Sequence, residues 1–106
     1  MPETYFFDVE TPFGYRVHCT REYWDFIVGM KHPILMGREQ EVKRALSQPD
    51  QVRQSRKDPD VLLFYRGSHP RWVCAVIRRP GEHGFLITAY VADKLKAGEV
   101  LWTKSE

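Results

Sequence analysis

The spacing of turn formers after residue 50 most constrains what this chain can fold into. Four β-prone stretches, Gln51 to Arg56, Val61 to Arg66, Arg71 to Arg78 and Gly84 to Val91, are divided by three short links. These are Lys57-Asp58-Pro59-Asp60, Gly67-Ser68-His69-Pro70 and Arg79-Pro80-Gly81-Glu82-His83. Links this short and this rich in Pro, Gly and Asp turn the chain straight back, so the second half reads as a four-stranded antiparallel meander. The segment Ala92 to Trp102 has no clear pattern. Gly98 argues against a long helix there, and Trp102 is expected to pack back on the sheet.

The first half reads differently. Tyr5 to Val9 and Tyr15 to Cys19 flank the turn Thr11-Pro12-Phe13-Gly14 and predict an N-terminal hairpin. Thr20 then suits an N-cap, with Glu22 and Asp25 early in the helix it opens. Tyr23, Phe26, Ile27 and Met30 recur at helical spacing and predict its buried face. His32-Pro33 ends that helix, because proline restricts the residue before it. A second helix opens at Gly37-Arg38-Glu39-Gln40-Glu41, buries Val42, Ala45 and Leu46, and stops at Pro49-Asp50. The expected fold class is α+β: two N-terminal helices packed on a four-stranded antiparallel sheet, with an extra N-terminal β-hairpin.

With 106 residues, the chain has room for one domain and one modest core. Its 42% hydrophobic and 13% aromatic content is that of a globular protein. No apolar run approaches a membrane span, and Met1-Pro2-Glu3-Thr4 lacks the basic and apolar regions of a signal peptide, so the expected compartment is the cytoplasm. Cys19 and Cys74 form no CxxC and are expected to be reduced packing residues. His18, His32, His69 and His83 are too dispersed for zinc-ligand spacing, and no metal or cofactor is expected.

The net charge of +2 says little by itself, but arginines crowd the middle and late chain. Arg53, Arg56, Arg66, Arg71, Arg78 and Arg79 would suit phosphate recognition, or equally a solvated sheet surface balanced by acids. His32, at a helix end beside a proline, is a candidate general acid or base; its bland alternative is a histidine at a helix C-terminus doing only that. Arg53, Ser55 and Arg56 are candidate substrate-binding residues on a strand poor in large apolar side chains. Such a strand reads as a sheet edge, where charge guards against edge pairing, or where a partner strand docks. Arg66 ends an apolar strand and either snorkels to water or aims at an anion over the sheet. Strand alternation puts Leu86, Thr88 and Tyr90 on one side and Phe85, Ile87 and Ala89 on the other. Thr88 could donate to a phosphoryl oxygen and Tyr90 could hydrogen-bond or stack on a base, although both are also ordinary strand formers.

A base, cations and hydroxyls from separate elements would suit metal-free RNA cleavage. The 2′-hydroxyl of the RNA is itself the nucleophile, so no Ser or Cys nucleophile is required. The order helix, His32-Pro33, helix with Ala45-Leu46 and Pro49-Asp50, then Leu63-Phe64-Tyr65-Arg66, Trp72-Val73-Cys74-Ala75-Val76 and Ile87-Thr88-Ala89-Tyr90 resembles the phage-type BECR nucleases. This is the barnase, EndoU, colicin and RelE-like group of metal-independent ribonucleases, and the likeness runs from about Tyr23 to Trp102 through short motifs. It implies a single domain over residues 1–106, helices packed on a four-stranded sheet, and a site on the exposed sheet face. It further implies His32 as acid or base, Arg66 as phosphate cation, Thr88 and Tyr90 as contributions of the last strand, and Arg53 and Ser55 as weaker transfers. The N-terminal hairpin departs from the pattern, and the partner acid is unassigned, with His83 a candidate by proximity. The resulting expectation is an endoribonuclease that leaves a 2′,3′-cyclic phosphate, the toxin of a toxin–antitoxin pair, with RNA and an antitoxin protein as partners. The alternative is a non-catalytic RNA- or protein-binding module.

Overall fold

In the computed structural model, which describes residues 5–96 and 98–104, the chain builds one seven-stranded mixed sheet. In chain order the strands are β1 (Phe7–Glu10), β2 (Arg16–Cys19), β3 (Gln51–Gln54), β4 (Val61–Ser68), β5 (Arg71–Arg78), β6 (Gly84–Ala92) and β7 (Glu99–Thr103). Their order across the sheet is β1-β2-β6-β5-β4-β3-β7. Between β2 and β3 lie α1 (Arg21–Phe26), a π-helical turn (Ile27–Lys31), a 3-10 turn (Pro33–Leu35) and α2 (Glu39–Ser47).

This corrects the expected four-stranded sheet under two full helices. The meander β3-β4-β5-β6 is there, but as the middle of a larger sheet whose helical layer is short. Two pairings made by residues distant in sequence enlarge it. The hairpin β1–β2 joins through parallel pairing of Val17 with Gly84 and His18 with Phe85. Gly84 permits this approach, since a Cβ there would lie 3.1 Å from both Val17 Cγ2 and Ile77 Cδ1. At the other side β7 returns antiparallel to β3. Gly98 is needed for that return rather than for breaking a helix: its Cβ would sit 2.6 Å from the Gln54 carbonyl oxygen. Strand β3 is therefore interior, lying between β4 and β7, and the expected edge over Gln51 to Arg56 is not one.

One sheet face carries the main core. Val52, Leu62, Phe64, Val73, Ala75, Ile77, Leu86 and Ala89 meet Trp24, Ile27, Leu35, Val42, Ala45 and Leu46 of the helical layer. The hairpin curls over the same face, with the Phe13 ring edge-on to Phe64 at 6.0 Å between centroids. The α2 stripe Val42, Ala45 and Leu46 is buried as its spacing predicts. The α1 stripe is corrected: Trp24, Ile27 and Val28 turn inward, while Phe26 and Met30 are 45% and 76% exposed. The α-helical period ends at Phe26, and the wider π turn rotates the following residues off the expected line. Met1 to Thr4, read above for a leader, lie outside the described residues. No helix among the described residues is long and apolar enough to cross a membrane.

Candidate functional site

The second face of the sheet is organised by strand register. Across β3, β4, β5 and β6, directly paired residues form the row Gln51, Tyr65, Cys74 and Tyr90, and beside it the row Arg53, Leu63, Val76 and Thr88. Leu63, Tyr65, Cys74 and Val76 form a small buried cluster, with Trp72, Ile87, Tyr90 and Leu95 packed against it.

Thr88 and Tyr90 reach this face through a β-bulge. Leu86 pairs with Ile77, but Thr88 pairs with Val76, so Ile87 is an extra residue in β6. The expected side shared by Leu86, Thr88 and Tyr90 is corrected: Leu86 joins Ala89 in the main core, while Thr88 and Tyr90 face the other way. A bulge re-aims side chains in this way. The Tyr23 hydroxyl donates to the Ile87 carbonyl at 2.7 Å and ties α1 to the bulge.

His32 arrives from the helical layer. Its backbone N–H donates to the Ile27 carbonyl at 2.8 Å, closing the π turn, and its backbone then leaves helical geometry at φ −141° and ψ 76°. Pro33 enforces that exit. The half-buried imidazole lies against Tyr90, with ring centroids 6.0 Å apart.

The chain after β6 folds over the tyrosine row. Lys96 donates its backbone N–H to the Tyr65 hydroxyl at 3.1 Å, and the Tyr65 and Tyr90 hydroxyls are 3.5 Å apart. The Lys96 ammonium stands 5.3 Å from the centre of the Tyr90 ring. Arg53 donates from Nη1 to the Lys96 carbonyl at 2.6 Å and from Nε to the Gln51 side chain, so its guanidinium holds this segment in place. Burial pushes the Tyr90 phenol well above its usual range, reinforced by Cys74 and Tyr65. Burial likewise raises Tyr65, and pushes the Cys74 thiol up to about 12. All three are neutral groups at physiological pH. Thr88 Oγ1 is buried and has no hydrogen-bond partner among the described residues.

His32, Thr88, Tyr90 and Arg53 therefore share one face. Arg66 does not. It pairs with Val73, on the face of the main core, and donates from Nη1 to the Gln48 carbonyl at 2.7 Å, capping the C-terminal end of α2. Ser55 and Arg56 follow β3 and line an open cleft of about 480 Å³ with Gln54, Pro59, Gly98 and Glu99. The Ser55 hydroxyl accepts the Lys57 N–H at 3.2 Å. His83 lines a separate cavity with Tyr5, Asp8, Arg16 and His18, at the opposite end of β6 from Tyr90. Lys96 and Tyr65 were not among the expected site residues, whereas Cys74 is the free, buried packing residue that was expected. Alternation already set Tyr65 opposite Arg66, but only the cross-strand register brings it to Tyr90.

No group of three or more His, Cys, Asp or Glu side chains placed to hold a metal ion occurs among the described residues. The face instead presents the His32 imidazole, the Tyr90 phenol and the Lys96 ammonium above an apolar floor in which Tyr65 and the Thr88 hydroxyl are buried, a set able to hydrogen-bond an oxyanion and accept a proton. Comparison with protein-family models, curated proteins and solved structures gave no match.

Proposed function

We propose that this protein is a metal-independent endoribonuclease whose site is the outer sheet face around His32, Tyr90 and Lys96. The observation that carries the reading is the meeting of the His32 imidazole with Tyr90 beside the Lys96 ammonium. His32 takes the proton of an RNA 2′-hydroxyl, the 2′-oxygen bonds to phosphorus, and the 5′-oxygen leaves with a proton from solvent. Lys96, in the role first given to Arg66, stabilises the charge that develops on the phosphoryl oxygens, while the Thr88 hydroxyl is buried beneath that surface. Ser55 and Arg56, in their cleft beside β3, contact the flanking strand.

The test is incubation of purified protein with RNA in EDTA, scoring 2′,3′-cyclic phosphate ends. His32→Ala is expected to lower cleavage by about 10²–10⁴-fold, the usual contribution of a general base. In the toxin reading, expression of the wild type slows host growth and His32→Ala relieves it. Undiminished cleavage by His32→Ala sinks the assignment. The position of Arg66 favours one other reading, a surface that binds RNA without turnover, because the expected phosphate cation lies on the other face. That reading predicts salt-sensitive RNA binding with the RNA left intact.

A further inference from the structure

Arg66 lies in a second basic site. Together with Arg44 of α2 and Arg71 of β5 it lines a cavity of about 200 Å³, closed by Glu41, Gly67 and Val73. These lining residues include three arginines and one glutamate. Glu41 is shared, lying 3.2 Å from Arg71 and 3.6 Å from Arg38. Asp50 stands nearby, its carboxylate accepting the Gly67 N–H at 2.8 Å. Arg44 has no carboxylate partner among the described residues, and Arg66 spends Nη1 on the Gln48 carbonyl with its other donors uncommitted to any described acceptor. Arginines lining a small cavity are suited to a phosphate group.

The position of the cavity links it to the outer face. Tyr65 and Arg66 are consecutive in β4, so their side chains leave opposite faces about 3.3 Å apart along the strand. The turn between β4 and β5 also touches the segment that carries Lys96, through His69 Nδ1 and the Asp93 carbonyl at 3.0 Å. The three arginines and Lys96 therefore flank the same end of the sheet, one group on each side of this turn.

We infer that Arg44, Arg66 and Arg71 form a phosphate-binding subsite for a single-stranded RNA that rounds the β4–β5 turn from the outer face. This rests on the proposed RNA-binding role but not on cleavage. The probe is a short 2′-O-methyl RNA, which cannot supply a 2′-hydroxyl nucleophile, with its affinity measured against salt. Each phosphate contact on a single strand contributes about 0.7 to the slope of log affinity against log salt. Arg44→Ala/Arg71→Ala is expected to reduce the slope by about 1.4, so that its affinity loss between about 50 and 200 mM salt is about sevenfold smaller than that of the wild type. Both side chains are exposed, and circular dichroism checks that the variant is folded. Arg44→Lys/Arg71→Lys should keep the wild-type slope. An unchanged slope in the alanine variant overturns the inference, as does a wild type that does not bind the oligonucleotide. Displacement by millimolar inorganic phosphate with no change in oligonucleotide slope would mark a free-anion site and also overturn it. If the slope falls as expected and unmodified RNA stays intact in EDTA, the cleavage reading fails and the subsite stands. If unmodified RNA is cleaved and the slope is unchanged, the subsite alone fails.

Discussion

At the scale of single residues, the outer face combines groups that stabilise the fold with one that does not. Thr88 Oγ1 is buried without a partner among the described residues, and an unpaired buried hydroxyl costs about 1–3 kcal/mol. Thr88→Val keeps the shape and removes that cost. It is expected to stabilise the protein by about 1 kcal/mol, or about 4–8 °C in Tm. A drop in Tm would show that the hydroxyl is bonded in solution. Tyr65 is the converse case, since its hydroxyl meets both the Lys96 N–H and the Tyr90 hydroxyl. Tyr65→Phe should cost about 0.5–1.5 kcal/mol and speed hydrogen exchange at the Lys96 amide. Cys19 and Cys74 are free and buried, each raised by burial from 9.0 to about 12. Above pH 9 the unfolded chain releases thiol protons that the folded chain retains, so it binds fewer protons than the native state. The stability from these two groups is thus full below pH 9 and is lost as pH rises toward 12. Urea midpoints should fall over that window, and a thiol reagent at neutral pH should label neither cysteine until the protein unfolds.

At the scale of elements, what the sequence made legible was local. Thr20 caps α1, its side chain accepting the Tyr23 N–H at 3.2 Å, and Val42, Ala45 and Leu46 form the α2 stripe, because caps and periodicity are written in neighbouring residues. The meander strands were legible because their turns are. The outer strand β7 was not. Its register with β3 slips between Val52 and Arg53, leaving Leu101 as an extra residue, so Glu99-Val100-Leu101-Trp102-Thr103 has no simple alternation to read. Gly98→Ala tests its placement directly. The new Cβ would meet backbone at 2.6 Å, and a carbonyl on a central strand has little freedom to yield. The variant is expected to lose about 1–3 kcal/mol and to show faster exchange across β7 while β4 and β5 keep their protection. Equal loss of protection in all strands would mean that β7 unfolds only with the whole sheet.

At the scale of the whole molecule, the candidate site divides into a part that sequence reading could reach and a part that it could not. Residue type pointed to His32, Thr88 and Tyr90. Their shared face depends on the Ile87 bulge and the π turn, and the separation of Arg66 depends on which face of β4 the helices cover. These are properties of long-range register, set by pairings such as Val17 with Gly84 and Gln51 with Thr103. The same division predicts the order of folding. The β3–β6 meander closes through short turns, whereas the hairpin β1–β2 can dock only once β6 exists and must close a loop of more than sixty residues to do so. Val17 is fully buried at that junction, and Val17→Ala should destabilise by on the order of 2 kcal/mol. The loss is expected almost entirely in faster unfolding, with a φ-value near 0. Ile77→Val, in the meander core, should cost about 0.5–1.5 kcal/mol and slow folding instead. Stopped-flow chevrons on the two variants decide it: a φ-value for Val17 as high as that for Ile77 would mean that the parallel junction forms with the meander rather than after it.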